Sequence, residues 1–167
     1  PEEYEQLCFC YGRRLQEFAP FVREKLSHGK VLVCYLDGVG YRMYKSAVEK
    51  GSVPFMSRSF SVIPVRTVEP PVTNPAMATM ITGELPVVHG VYSRKDREVL
   101  VPTLFAGRSV ENTAFLEGDT RILKTELSPR LHAAAKGKGC DHWISRDACR
   151  AVLEGKEFIF AHFHEID

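Results

Sequence analysis

The apolar positions of this chain follow two alternating rhythms. Over residues 4–27, Leu7, Tyr11, Leu15, Phe18 and Val22 recur at spacings of three and four, with Arg, Glu and Gln between them. That period predicts an N-terminal helix, closed by Gly29, in which Pro20 marks a kink or a break. The next stretch, "VLVCYLDGVG", changes character. Residues 31–36 are a continuous apolar run with β-branched members, as expected of a strand buried on both faces in a parallel sheet. Residues 41–50 read as a helix stopped by Gly51, and 60–68 as a strand that Pro64 places at an edge or bulge. Helices are predicted over 74–82, over 102–111 behind Pro102 and over 146–155, and strands over 113–116 and 157–167.

Strands alternating with helices predict an α/β fold, a mostly parallel sheet with helices on both faces. The expected organisation is a helix over residues 1–29 followed by an α/β domain over 30–167. The 167 residues suffice for one domain with a core, and 44% hydrophobic with 26% charged residues is ordinary for a globular protein. A net charge of +1 gives no electrostatic case for a nucleic-acid polymer or an anionic membrane. No apolar run approaches the ~20 residues of a membrane span. The N-terminus "PEEYEQ" is acidic and polar, unlike a signal peptide. It lacks an initiator Met, so a processed or trimmed product is expected. Cys8, Cys10, Cys34, Cys140 and Cys149 are odd in number and match no zinc spacing. They read as free thiols of a cytoplasmic protein.

Ligands of open α/β sheets gather at the C-terminal ends of the strands. Asp37 and Asp167 each follow an apolar strand directly, and Thr73 stands a few residues past its strand at a helix start. An Asp-Gly pair at a strand end either forms a turn or presents a metal ligand. Thr73 is either an N-cap or a hydroxyl whose alkoxide gains from the helix N-terminus and from a metal. In "HFHEID", His162 and His164 point to one face of the strand. They fit a metal, or two polar packing residues.

Three segments in order, "VLVCYLDGVG", "TNPAMATMITGELPVVHGV" and "FIFAHFHEID", resemble the alkaline phosphatase superfamily, most closely its type I phosphodiesterase and nucleotide pyrophosphatase group. The second segment carries the most specific match, in Thr73, Pro75, Thr82-Gly83, Pro86 and His89-Gly90. The resemblance covers roughly residues 30–167. It implies a two-metal hydrolase of phosphate esters, with zinc or manganese as the ions and a small phosphate ester as substrate. Asp37 would bind one metal, and Thr73 would be the nucleophile on that same metal, transiently phosphorylated or nucleotidylated. Asp167 would open an Asp-x-x-x-His segment and bind the second metal.

Two departures from the pattern stand out. The sequence stops at Asp167, before the histidine four residues on and the later Asp-His and His ligands. At most three ligands are therefore present, and an incomplete chain is expected. Nucleotide pyrophosphatases place an asparagine 21 residues after the nucleophile, where this chain has Arg94. Arg94 and Asn74 are the candidates for holding substrate. The change leaves open a phosphomonoesterase, a phosphodiesterase, a phosphonate hydrolase or phosphomutase-type enzyme, and a non-catalytic binding relative. His89 reads as a packing and hydrogen-bonding residue, Thr79 and Thr82 as helix-bonding or packing residues.

Overall fold

The computed structural model describes residues 13–165. Its centre is a four-stranded, all-parallel sheet of β2 (Val31–Leu36), β4 (Thr113–Glu117), β5 (Arg130–Leu131) and β6 (Phe158–Phe163), in the order β2-β6-β4-β5. The last strand in sequence, β6, thus lies between β2 and β4. Its register pairs His162 with Tyr35 on one side and Phe160 with Phe115 on the other.

The period of two assigns each side chain of β6 to a face. Phe158 and Phe160 join Phe105, Phe115 and Leu123 on one face, beneath α1 (Phe18–Leu26) and α4 (Thr73–Thr82). Ile159 and Ala161 turn to the other face and meet Ile144, Ala148 and Ala151 of α6 (Cys140–Leu153). Helices therefore cover both faces, as the alternation predicted. Around the sheet lie α2 (Tyr41–Glu49), α3 (Pro54–Ser59), the short α5 (Pro86–His89), and a two-residue strand β1 (Arg13–Arg14) paired in parallel with β3 (Val65–Arg66).

Several local expectations are corrected. The predicted N-terminal helix is interrupted: β1 and a 3-10 turn (Leu15–Glu17) precede a helix that starts only at Phe18. Pro20 falls in the first turn of that helix, where its missing N–H has no intrahelical partner to lose, so it opens the helix rather than kinking one. Leu7 and Tyr11 lie outside the described residues. Strand β2 is partly buried on one face only, with Leu32 and Cys34 exposed, because it forms the edge of the sheet among the described residues. The strand expected over 60–68 shrinks to Val65–Arg66 and pairs with β1, outside the main sheet.

No helix forms over 102–111. Leu104 and Phe105 are both buried. A turn delivers them instead: Thr103 Oγ1 accepts the Phe105 N–H at 3.0 Å, and Leu104 N–H donates to Ile81 O at 2.9 Å. Helix α6 begins at Cys140, earlier than expected over 146–155, because its first turn is polar and hides the period. Cys34, Cys140 and Cys149 are free, and Cys8 and Cys10 lie outside the described residues. Among the described residues, no helix is long and apolar enough to cross a membrane.

Candidate functional site

The C-terminal edge of the sheet brings distant segments together. Strand β2 stays hydrogen-bonded to β6 up to Asp37, whose N–H donates to Phe163 O at 3.0 Å. Gly38 then turns the chain at a φ of 77° that side chains disfavour, and its N–H donates to Asp37 Oδ1 at 3.0 Å. The other oxygen, Oδ2, is left for the site. It accepts the hydroxyl of Thr73 at 3.1 Å across 36 residues of sequence.

Thr73 is the first residue of α4. The position before it is Val72, and no side chain caps the helix. The first intrahelical donor is Ala76, bonded to Val72 O at 3.1 Å. Pro75 has no N–H, so the N–H groups of Thr73 and Asn74 form the positive end of the helix. The capping alternative for Thr73 thus gives way to a hydroxyl aimed at a strand-end carboxylate.

Behind this pair stands a buried polar row. His162 is fully buried on the same sheet face as Tyr35, whose ring stacks on it with centroids 4.5 Å apart. Its Nε2 is 3.7 Å from Asp37 Oδ2, an ion-pair distance too long for a hydrogen bond. Its Nδ1 is 3.2 Å from Oε1 of the fully buried Glu117 at the end of β4. His164 stacks against His162 with ring centroids 3.9 Å apart, and its Nε2 accepts the Gly118 N–H at 3.2 Å.

The His162 contact foremost, aided by Thr73 and Gly38 against the pull of burial, holds the Asp37 carboxyl below its usual range. For His162, burial is the largest influence and lowers the pKa. The carboxylates of Asp37 and Glu117 more than offset it, and the pKa is raised. Burial, then the neighbouring His162, lowers that of His164. Asp37, His162 and His164 each bring a donor atom to within 4.8 Å of the others. Carboxylate oxygen with imidazole nitrogen suits a borderline divalent cation. The buried Nε2 of His162, without a hydrogen-bond partner among the described residues, fits the same purpose.

The other sequence candidates fall into place around this centre. Asn74 is buried, and its amide donates to the carbonyls of Arg94 and Asp96 at 3.2 and 2.9 Å. It therefore ties the loop of Arg94 to α4, and the Arg94 side chain is exposed. Asp167 lies outside the described residues. The segment leading to it is anchored by Asp141, near the start of α6, whose two oxygens accept the N–H groups of His164 and Glu165 at 2.8 and 3.0 Å. Glu117 and Asp141 were missed in the sequence. Glu117 ends the apolar strand "TAFLE" as Asp37 follows "VLVCYL", and the same strand-end logic would have found it.

His89 is structural, as its sequence setting indicated. Its Nδ1 accepts the Val91 N–H at 3.1 Å, so the proton sits on Nε2 and is donated to Thr79 Oγ1 at 2.9 Å. Thr82 bonds back to Ala78 O at 2.7 Å. Burial lowers the His89 pKa. A ring neutral in the fold and more easily protonated when unfolded stabilises the protein fully above the unfolded value of about 6.5. That stability falls as pH drops below it toward the folded pKa. The melting temperature is expected to decline from pH 7.5 to 5.5. His89→Asn should lower it at pH 7.5 and flatten the decline. An equal decline in the variant would show that another group controls it.

The sequence segments that meet here are those of a known pattern. A family model described as type I phosphodiesterase / nucleotide pyrophosphatase matches residues 31–166. No curated protein and no solved structure gives a significant match. The match spans the strand-end carboxylate, the threonine at the head of α4 and the central strand. The chain belongs to the type I phosphodiesterase / nucleotide pyrophosphatase family of hydrolases, within the alkaline phosphatase superfamily.

Proposed function

We infer that the protein is a divalent-metal-assisted hydrolase of small phosphate esters in which Thr73 is the nucleophile. The observation that carries this reading is the 3.1 Å hydrogen bond from Thr73 Oγ1 to Asp37 Oδ2, which joins two motif residues at the catalytic edge of a parallel sheet. Asp37 and Thr73 would hold one cation. The resemblance adds Asp167 for a second, with zinc most suited and manganese an alternative. A bound cation would lower the pKa of the hydroxyl and neutralise charge on the phosphoryl oxygens.

The chain's own residues do the rest. Asp37 holds the Thr73 proton on its side of the oxygen and so aims a lone pair outward. Its lowered pKa makes it a poor proton acceptor, so it acts by orientation and charge. The N-terminus of α4 favours an anionic phosphoryl group beside Thr73. Arg94, whose backbone carbonyl accepts from Asn74, would offer a planar pair of N–H donors to phosphate oxygens. In the first step the Thr73 hydroxyl releases its proton to solvent, Oγ1 forms a bond to phosphorus, the ester oxygen leaves with its bonding electrons and takes up a proton, and phosphothreonine results. In the second, water attacks phosphorus, the bond to Oγ1 breaks, and the threonine regains a proton.

The purified protein with added Zn²⁺ or Mn²⁺ is expected to hydrolyse p-nitrophenyl phosphate or its phosphodiesters. Chelation should abolish the activity and metal should restore it. Hydrolysis undiminished by chelation would overturn the metal-assisted reading. Arg94, standing at the asparagine position of nucleotide pyrophosphatases, favours substrates other than nucleotides, and the ratio of monoester to diester turnover reads this out.

A further inference from the structure

His162 and His164 look alike in the sequence and lie on the same side of the chain, but their ring nitrogens are engaged differently. In His164, Nε2 already accepts the Gly118 N–H at 3.2 Å, so the ring proton sits on Nδ1. In His162 the arrangement is reversed. Its Nδ1 faces Glu117 Oε1 at 3.2 Å, and both side chains are 0% exposed. A buried carboxylate at Nδ1 takes the ring N–H there and leaves Nε2 with its lone pair. That Nε2 is buried with no hydrogen-bond partner among the described residues. It faces Asp37 Oδ2 at 3.7 Å, the same oxygen that accepts the Thr73 hydroxyl.

Without a metal, a proton on Nε2 makes this contact an ion pair; a divalent cation between the two atoms takes that proton's place. Two zinc ligands, each about 2.1 Å from the ion at a tetrahedral angle, stand about 3.4 Å apart, close to the observed gap. Glu117 points the same way. Its Oε2 is buried without a hydrogen-bond partner among the described residues, 4.0 Å from His164 Nε2, so the His162 ring is what chiefly offsets the burial of this carboxylate. A carboxylate behind a histidine is the usual means of fixing the tautomer and raising the basicity of a metal ligand.

We propose that His162 Nε2 is a ligand of the divalent cation shared with Asp37 and Thr73, and that Glu117 is its positioning residue. The proposal rests on the reading that Asp37 and Thr73 hold such a cation. An imidazole nitrogen in the set selects a zinc-like ion over magnesium or calcium. His164 is a packing partner of His162 and no ligand.

The test is zinc binding by the metal-free protein, followed by calorimetry, with the visible spectrum of the cobalt form as a second readout. His162→Gln is expected to weaken zinc by about a hundredfold and to shift the cobalt band. Glu117→Gln should weaken zinc about tenfold or more without lowering the melting temperature. His164→Gln should leave zinc affinity unchanged. Wild-type affinity and spectrum in a folded His162→Gln protein overturn the proposal. If that variant does not fold, unchanged affinity in Glu117→Gln overturns it instead. Asp37→Asn separates the two layers. Weakened zinc binding there but not in His162→Gln sinks the ligand assignment alone. No zinc binding by the wild type, or none lost in Asp37→Asn, sinks the metal reading and the proposal with it.

Discussion

Thr73→Ala is expected to lower phosphoester hydrolysis by at least about ten-thousandfold, the scale seen when a covalent nucleophile is removed. The substitution deletes one hydroxyl whose sole hydrogen bond runs to Asp37. That half-buried bond contributes only about 1 kcal/mol to stability, or a melting shift of about 2–4 °C for a chain of this length. Alanine is also the best helix former, which offsets part of that loss. Activity and stability should therefore separate at this position. Thr73→Ser, which keeps the oxygen, should retain measurable turnover. Thr79→Ala provides the opposite case: it leaves the Nε2–H of buried His89 without its acceptor and should cost stability while sparing the chemistry. Hydrolysis largely intact in Thr73→Ala would show that the nucleophile is another group.

Phe160→Ala should have the largest effect on the fold, a loss of about 3–5 kcal/mol. Phe160 is fully buried in the middle of the central strand. Its ring meets Phe115 edge-on at 5.6 Å and Phe105 at 5.8 Å, with Tyr35 and Phe158 at 6.3 and 6.4 Å. Truncation forfeits the transfer energy of the ring and opens a cavity between two hydrogen-bonded neighbours, β2 and β4, that cannot close in without breaking register. The same ring underlies the site, since His162 follows two residues on along the same face. The urea midpoint should fall strongly with an unchanged slope. A loss below about 1 kcal/mol would mean that this aromatic cluster is not the centre of the core.

Much of this architecture was legible in one dimension because its cause is local. The continuous apolar run of residues 31–36, the small-residue helix after Thr73 and the run ending in "FAHF" each announce their element by period alone. Their alternation announces a parallel sheet, and strand ends followed by Asp announce the edge where ligands gather. Asp37 and Thr73 were found in this way and meet in the fold. Elements whose cause is tertiary were misread. Residues 102–111 carry helical signals, but the Leu104 N–H goes to Ile81 O, a partner distant in sequence, and a turn forms instead. The exposed face of β2 follows from its place at the edge, which no property of "VLVCYL" reveals.

The sequence by itself determined the main strands and helices around the site, and which carboxylate and hydroxyl stand at their ends, because backbone periodicity and turn chemistry act within a few residues. Only the tertiary structure decided which of two like histidines faces Asp37, and that Glu117 stands behind it. That choice is set by the order β2-β6-β4 and by a register that aligns Tyr35 with His162 and Leu116 with Ala161. Strand order and register come from the packing of whole faces, Phe158 and Phe160 toward one set of helices and Ile159 and Ala161 toward the other. A sum over many distant contacts leaves no trace at any single position in the chain.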